Sequence, residues 1–149
     1  MWVNRIRKEI KDIQKEPLDG ITLEVDEKDM KVFNGTIDGP SGTPYAGFLL
    51  LVKITIPETY PLEPPKVIFK HPLYHPNISL SGDICLDILK TQWAPTLCLS
   101  KIMLSISSLL NDPNPSSPLN STAANYWLND KTKYNKEVID LCNKYNLHM

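Results

Sequence analysis

Prolines constrain this chain more than any other residue type. The sequence holds 13 prolines, and all but Pro17 lie between Pro40 and Pro118. Each proline fixes one backbone dihedral angle and removes one hydrogen-bond donor, so it interrupts helices and central strands. The middle of the chain is therefore predicted to contain rigid loops rather than an unbroken helical bundle. Tyr60–Pro61 and Pro64–Pro65 are candidates for a cis bond, although trans is the default.

An amphipathic helix is predicted at the start of the chain. Residues 2–15 place four aliphatic side chains on one helical stripe, namely Val3, Ile6, Ile10 and Ile13. Pro17 and Gly20 then end the helix. Most of the lysine and arginine side chains of this segment lie off the stripe, so they form either a solvated surface or a docking face.

Four strands are predicted to follow this helix. Segments rich in β-branched and aromatic residues cover residues 21–25, 31–37, 48–56 and 66–69. The links between them carry turn residues and are short, which favours an antiparallel meander. The third segment is an almost continuous apolar run, and such a run is typical of a central strand that is covered on both faces.

Three more helices are predicted after a long irregular stretch. Ser100 is expected to cap a helix over residues 101–110. Residues 121–128 and 131–145 are predicted as the other two helices. The sequence therefore indicates one α+β domain over residues 1–149, with an N-terminal helix, a four-stranded antiparallel meander, a long loop and three further helices.

Charge and cysteine content narrow the classes of function. The formal net charge is −1 at pH 7, so general attraction to nucleic acid or to an anionic membrane is not expected. The three cysteines are odd in number and contain no C-x-x-C pair, so neither a disulfide framework nor a metal site is expected. No signal-peptide pattern and no apolar run of about 18 residues is recognised, which favours a reducing compartment.

The long irregular stretch over residues 70–97 holds the candidate site, because a loop of this length in a compact domain is usually functional. It contains Cys85. The thiolate is the reactive form of cysteine and is scarce at neutral pH, since a free thiol has a pKa of about 8.5. Asp83 and Asp87 flank Cys85, and negative charge disfavours a thiolate. The sequence thus predicts a mild thiol suited to exchange between thioesters, or else a small buried side chain.

His75 and Asn77 precede the cysteine in the sequence, and each has two candidate roles. His75 is a candidate general base for a Cys–His hydrolase, or a ring that is hydrogen-bonded in place. Its rigid setting beside Pro76 favours the second role. Asn77 is a candidate donor to the oxyanion that forms when a thioester is attacked, a contribution of roughly 3–4 kcal/mol in comparable sites. It is also a candidate brace of the loop, and both roles stay open.

One block of sequence runs from His75 to Pro95, with HPNI ahead of the cysteine and ICLDIL around it. This block resembles the active-site block of ubiquitin-conjugating enzymes. The resemblance covers the whole chain, through RIRKE at residues 5–9, YPLEPP at 60–65 and DPNP at 112–115. It is closest to the short, tail-less members that work with many RING and HECT ligases. The implied fold is a helix, a four-stranded meander and three helices, in agreement with the prediction above.

The resemblance implies roles for the residues of the site. Cys85 accepts ubiquitin from an activating enzyme as a thioester, and a ligase then brings a substrate lysine, or its own cysteine, that takes the ubiquitin. Asp87 orients or desolvates the lysine, and Asn77 stabilises the oxyanion or braces the loop. The other matching residues are His75 and Pro76 as structural residues, Leu86 at the ubiquitin tail, and Asn114 as a conformational asparagine. No cofactor is implied, because the activating enzyme uses the ATP.

One position departs from the closest subfamily, which has an acid where this chain has Ser117. Other members of the wider family carry serine there, so the departure affects the expected efficiency of lysine transfer and not thioester formation. Two other classes of function agree less well with these residues. The first is a catalytically idle variant that only presents ubiquitin or a ligase, and the retained Cys85 and Asn77 disfavour it. The second is a cysteine hydrolase, which is disfavoured because Cys85 lacks an activating partner.

The resemblance also implies partner surfaces. The helix face that activating enzymes and ligases contact corresponds to Arg5 and Lys8. The loops that RING, U-box and HECT ligases grip correspond to Pro61, Leu62, Ala94, Pro95 and Thr96. A donor ubiquitin would fold against Lys101, Leu104 and Ser108, and a second, non-covalent ubiquitin would contact Thr22. The chain is expected to act on substrate proteins as a cytoplasmic and nuclear monomer that binds neither nucleic acid nor membrane.

Overall fold

The computed structural model describes residues 2–149. Four helices, four strands and one short 3₁₀ helix follow one another in the order α1 (Trp2–Lys15), β1 (Ile21–Val25), β2 (Val32–Asp38), β3 (Leu49–Thr55), β4 (Lys66–Phe69), the 3₁₀ helix (Asp87–Leu89), α2 (Leu99–Asn111), α3 (Ser121–Asn129) and α4 (Lys131–Lys144). The predicted α+β class is therefore confirmed. In the described part of the chain, no helix combines the length and the apolarity needed to span a membrane.

The four strands form one antiparallel sheet in the order β1-β2-β3-β4, which is the predicted meander. Ile21 of β1 faces Ile37 of β2, and Thr55 of β3 faces Lys66 of β4. β1 and β4 have the predicted bounds, whereas the ends of β2 and β3 differ from the prediction by one residue. Tyr60–Pro61, one of the two candidate bonds, is cis.

The prediction that the third strand is covered on both faces is wrong. Leu50, Val52 and Ile54 are fully buried, but they alternate with the exposed Lys53 and the half-buried Leu51 on the other face. β3 is central in the sheet, with β2 and β4 beside it. The sheet is nevertheless antiparallel, and one of its faces is not covered by another layer. The leucines on that face therefore make the sequence look like that of a strand buried on both faces, although they are not fully buried.

Helix α2 crosses the inner face of the sheet. Its fully or almost fully buried side chains are Leu99, Ile102, Met103, Ile106 and Leu110. A Cβ atom on Gly35 of β2 would come within 2.7 Å of the Met103 Cε atom, so the glycine leaves the room that this close packing needs. The core therefore lies between the sheet and α2, and the helix leads directly into the loop that follows it.

The prediction that Ser100 caps this helix is wrong. α2 begins at Leu99, and Cys98 occupies the N-cap position without a side-chain hydrogen bond. The Leu99 N–H group instead donates to Glu9 Oε1 of α1 at 2.7 Å. A carboxylate distant in sequence thus satisfies a helix-terminal donor that a local serine was expected to satisfy.

Candidate active site

The segment that carries Cys85 is attached to the edge of the sheet. The Phe69 N–H group donates to the Gly82 carbonyl oxygen at 2.9 Å, and Asp83 pairs with Ile68 in an antiparallel bridge. Gly82 has a φ of 95°, and a Cβ atom there would collide with the Phe69 carbonyl oxygen. Only glycine allows this close approach without strain. The edge of β4 therefore fixes the chain immediately ahead of the cysteine.

Cys85 itself is half-buried. Its N–H group donates to the Asn77 carbonyl oxygen at 2.9 Å, so the loop from His75 to Cys85 closes on itself through the backbone. The thiol is thereby held on a fixed main chain while one side of it faces a cleft.

His75 is completely buried and both of its ring nitrogens are used. Nδ1 accepts a hydrogen bond from the Asn77 N–H group at 2.9 Å, which leaves the proton on Nε2, and Nε2 donates to the Leu109 carbonyl oxygen at 2.8 Å. Burial lowers the pKa of His75 to about 4, because a charged ring would lose its hydration. A neutral ring without a free acceptor is unsuited to take a proton from Cys85, so the geometry favours the structural role.

Asn77 is buried and joins the cysteine loop to the loop that follows α2. Its Nδ2 group donates to the Asn114 carbonyl oxygen at 2.6 Å, and its Oδ1 atom accepts from the Asn114 N–H group at 2.7 Å. A longer contact of 3.5 Å runs from Nδ2 to the Ser117 carbonyl oxygen. These bonds engage both ends of the side-chain amide, which supports the bracing role of Asn77.

Pro76 and Asn114 complete this connection between the two loops. The buried Pro76 carbonyl oxygen accepts from the N–H groups of Leu119 at 2.8 Å and Asn120 at 3.1 Å. The Asn114 Oδ1 atom accepts from the Ser116 hydroxyl group at 2.6 Å. The HPN tripeptide thus holds both ends of the turn over residues 114–120, and that turn forms one wall of the site.

The cleft beside Cys85 has a volume of about 430 Å³ and is lined by Asn77, Cys85, Leu86, Asp87, Lys90, Thr91, Leu109, Asn114 and Ser117. It therefore brings together the four residues predicted to be catalytic, Cys85, Asn77, Asp87 and Ser117. Asp87 and Ser117 are exposed, and Asp87 opens the 3₁₀ helix Asp87–Leu89. An open cleft with one thiol, one nearby carboxylate and no available imidazole is suited to carry an acyl group rather than to activate water.

A comparison with protein families identifies this arrangement. The family described as ubiquitin-conjugating enzyme matches residues 5–142, a range that includes every residue lining the cleft. The chain belongs to the ubiquitin-conjugating enzyme family. Membership brings with it, in general terms, interaction with ubiquitin, with an activating enzyme and with ubiquitin ligases. The helix, meander and three further helices described above are consistent with this family.

The residues predicted as partner surfaces of this ubiquitin-conjugating enzyme do not line the cleft, and most of them are exposed. Lys8 and Thr22 are exposed, and so are Pro95 and Thr96, whereas Ala94 and Pro61 are half-buried. Leu62 is 75% exposed, and the Trp93 Nε1–H group joins the two predicted ligase loops by donating to the Pro61 carbonyl oxygen at 2.9 Å. On α2, the exposed side chains include Lys101, Leu104 and Ser108.

Arg5 differs from these surface residues because its side chain makes several contacts within the molecule. Its Nη2 group donates to the Leu97 carbonyl oxygen at 2.6 Å, its Nε group pairs with Glu9 at 3.1 Å, and the side chain is only 24% exposed. The guanidinium also lies 5.8 Å from the centre of the Tyr60 ring. Much of the hydrogen-bonding capacity of Arg5 is therefore used within the molecule.

Glu9 is an important residue that no pattern in the sequence singled out. It is 5% exposed and accepts hydrogen bonds from Arg5, from the Tyr60 hydroxyl group at 2.6 Å and from the Leu99 N–H group. Burial and the Glu9 carboxylate raise the pKa of Tyr60 well above its usual range. The signals available in the sequence were the Arg5–Glu9 spacing of four and the position of Glu9 three residues after Ile6.

Proposed function

We propose that Cys85 accepts the carboxyl terminus of ubiquitin as a thioester from an activating enzyme. A ligase then directs its transfer to a substrate lysine or to a cysteine of the ligase. The observation that carries this proposal is a half-buried thiol in an open cleft that no histidine lines, while both ring nitrogens of His75 are already hydrogen-bonded. Such a thiol is reactive enough to exchange with another thioester, while the cleft lacks the base that would promote hydrolysis.

The proposed transfer has two balanced steps. In the first, the Cys85 sulfur bonds to the thioester carbonyl carbon, the bond from that carbon to the sulfur of the activating enzyme breaks, and the leaving sulfur takes up the proton that Cys85 loses. In the second, the lysine ammonium loses one proton to solvent, its nitrogen bonds to that carbon, the carbon–sulfur bond to Cys85 breaks, and the leaving sulfur takes up the second nitrogen proton. Deprotonating a lysine with a pKa of about 10.4 costs about 4–5 kcal/mol at pH 7. Asp87 lines the cleft and is the carboxylate proposed to orient the amine.

The test is a charging assay with activating enzyme, ATP and ubiquitin. We expect an adduct of one ubiquitin that a thiol reductant removes, because a thioester exchanges with free thiols. Transfer to free lysine should then follow when the amino acid is added after the ATP has been depleted. Absence of any thiol-sensitive adduct would overturn the proposed function.

The remaining parts of the proposal concern partners and location. The exposed Lys8, Leu62 and Leu104 support contacts with activating enzyme, ligase and donor ubiquitin respectively. The described cysteines are free, which supports a reducing compartment, and we place the protein in the cytoplasm and the nucleus. The proposed chemistry requires no cofactor in this chain, since the energy of the thioester comes from ATP used by the activating enzyme.

Replacing Asn77 by alanine is expected to slow transfer to free lysine by about tenfold or more, because a displaced wall of the cleft positions the reacting groups less well, while charging persists. The change removes two hydrogen bonds to Asn114 and leaves the Asn114 N–H group without its partner, which costs about 1–3 kcal/mol of folding free energy. Single-turnover discharge and urea unfolding measure the two effects. Asn129→Ala, at an exposed position on α3, is the control. Equal losses in charging and discharge would indicate a general folding defect instead.

A further inference from the structure

A second cleft lies beside the Cys85 cleft, against the edge strand β4. Its volume is about 380 Å³, and its apolar lining includes Val67, Ile84 and Leu119. The charged residues that line it are Lys66, Asp83 and Lys90. Lys90 also lines the Cys85 cleft, so the two clefts adjoin. The Cys85 segment runs between them, since Asp83 and Ile84 line the second cleft and Cys85 lines the first.

Asp83 and Cys85 lie on the same face of this segment. Asp83 pairs with Ile68 and Ile84 pairs with Ile78 in antiparallel bridges, so the chain is extended here. Side chains of an extended chain alternate between two faces, and residues two apart are separated by roughly 7 Å along one face. The burial pattern agrees, because Ile84 is buried between the exposed Asp83 and the half-buried Cys85.

The backbone of Asp83 is fixed while its carboxylate remains available. The Asp83 N–H group donates to the Ser79 hydroxyl oxygen at 3.0 Å. The carboxylate receives only long contacts, from the hydroxyl groups of Ser79 at 3.4 Å and Ser81 at 3.5 Å. No ion pair within residues 2–149 includes Asp83. Its charge therefore faces solvent at the entrance to the second cleft.

We propose that Asp83 is a positioning residue that attracts the ammonium group of the acceptor lysine, and that the second cleft receives the acceptor side of the reaction. This inference rests on the proposed function of Cys85. A thioester formed at Cys85 occupies the adjoining cleft, where the Asn77–Asn114 wall stands and where Ser117 contributes no charge. Asp83 then supplies a carboxylate at the second cleft, two residues ahead of Cys85, and it makes or breaks no covalent bond.

The size of the effect follows from the distance and from the opposing charges. Two unit charges about 7 Å apart in a water-like medium interact by roughly RT, which corresponds to about a threefold change in occupancy. Lys66 and Lys90 line the same cleft and oppose the attraction. The contribution of Asp83 is therefore modest, and added salt should reduce it.

The test compares two nucleophiles in single-turnover discharge of the charged protein. For Asp83→Asn we expect normal charging and little change in kcat. The KM for free lysine should increase about threefold at low ionic strength, and this increase in KM should be smaller at high salt. Hydroxylamine is uncharged at neutral pH, so its rate should not change. Asp83→Glu should retain the wild-type KM. Asp19→Asn removes the same charge from an exposed loop beside β1, three strands from β4, and should have no effect.

The outcomes separate this inference from the proposed function. An unchanged lysine KM in a normally charged Asp83→Asn variant would overturn the inference alone. Equal slowing with lysine and hydroxylamine would also overturn it, because the residue would then shape the loop rather than attract a cation. Failure of the unmodified protein to form any thioester would overturn the proposed function and this inference with it.

Discussion

Replacing Cys85 by alanine is expected to abolish the thiol-sensitive ubiquitin adduct completely. Cys85 is the cysteine that lines the cleft, and alanine removes the nucleophile with little change in volume. Cys142 offers no alternative, since it is fully buried in α4 and burial raises its pKa to about 12. Charging with ATP and activating enzyme, followed by electrophoresis with and without reductant, measures the effect.

Two further variants sharpen this result. Cys85→Ser keeps a weaker nucleophile at the same position, and any adduct on it should be an ester that resists thiols and is cleaved by alkaline hydroxylamine. Cys98→Ala removes the other half-buried cysteine and should charge at the wild-type rate. A thiol-sensitive adduct that persisted in Cys85→Ala and disappeared in Cys98→Ala would move the acceptor site to the start of α2.

The second large effect is expected on stability, from Glu9→Ala. Removing this buried carboxylate leaves three donors without an acceptor, on Arg5, Tyr60 and Leu99. A buried donor left without a partner costs about 1–3 kcal/mol, so the loss of acceptors for Tyr60 and Leu99 should lower the free energy of unfolding by about 2–6 kcal/mol. Equilibrium unfolding in urea measures the loss of free energy, and it should appear as a lower midpoint with an unchanged slope.

Two controls accompany this prediction. Asp12→Ala changes an exposed acid on the same helix and should lie within about 0.5 kcal/mol of the unmodified protein. Glu9→Gln keeps the shape of the side chain and one oxygen acceptor, so an intermediate loss is expected. If Glu9→Ala were no more destabilising than Asp12→Ala, the network would not contribute to folding.

The fold was predictable from the sequence because its signals are local. The stripe on α1 and the β-rich segments repeat over a few residues, so the element types were predicted and their ends differed by one or two residues. The prediction that failed concerns which faces of β3 are covered by other parts of the chain. The apolar run suggested that Leu51 of β3 belongs to the core. Only a layer packed on the outer face of the sheet would bury Leu51, and the local sequence does not indicate whether such a layer exists.

The candidate site also has a part that local sequence predicts and a part that depends on distant contacts. Cys85, Asn77 and Asp87 lie within one short stretch, so their motif indicated the cleft. The alternative roles of His75 depended on a contact with Leu109, 34 residues away. Glu9 depends on partners 51 and 90 residues away. A pattern with a period of a few residues classifies Glu9 only as polar, because its partners meet it after the chain has folded.

The attachment of the Cys85 loop to β4 has a consequence for aggregation. β4 is an edge strand, and an uncovered edge can pair with another chain. The bond from Phe69 to Gly82 and the bridge from Ile68 to Asp83 occupy part of that edge. A side chain at position 82 would collide with the Phe69 carbonyl oxygen and separate the two segments. Disruption of the cysteine loop should therefore lower solubility together with activity.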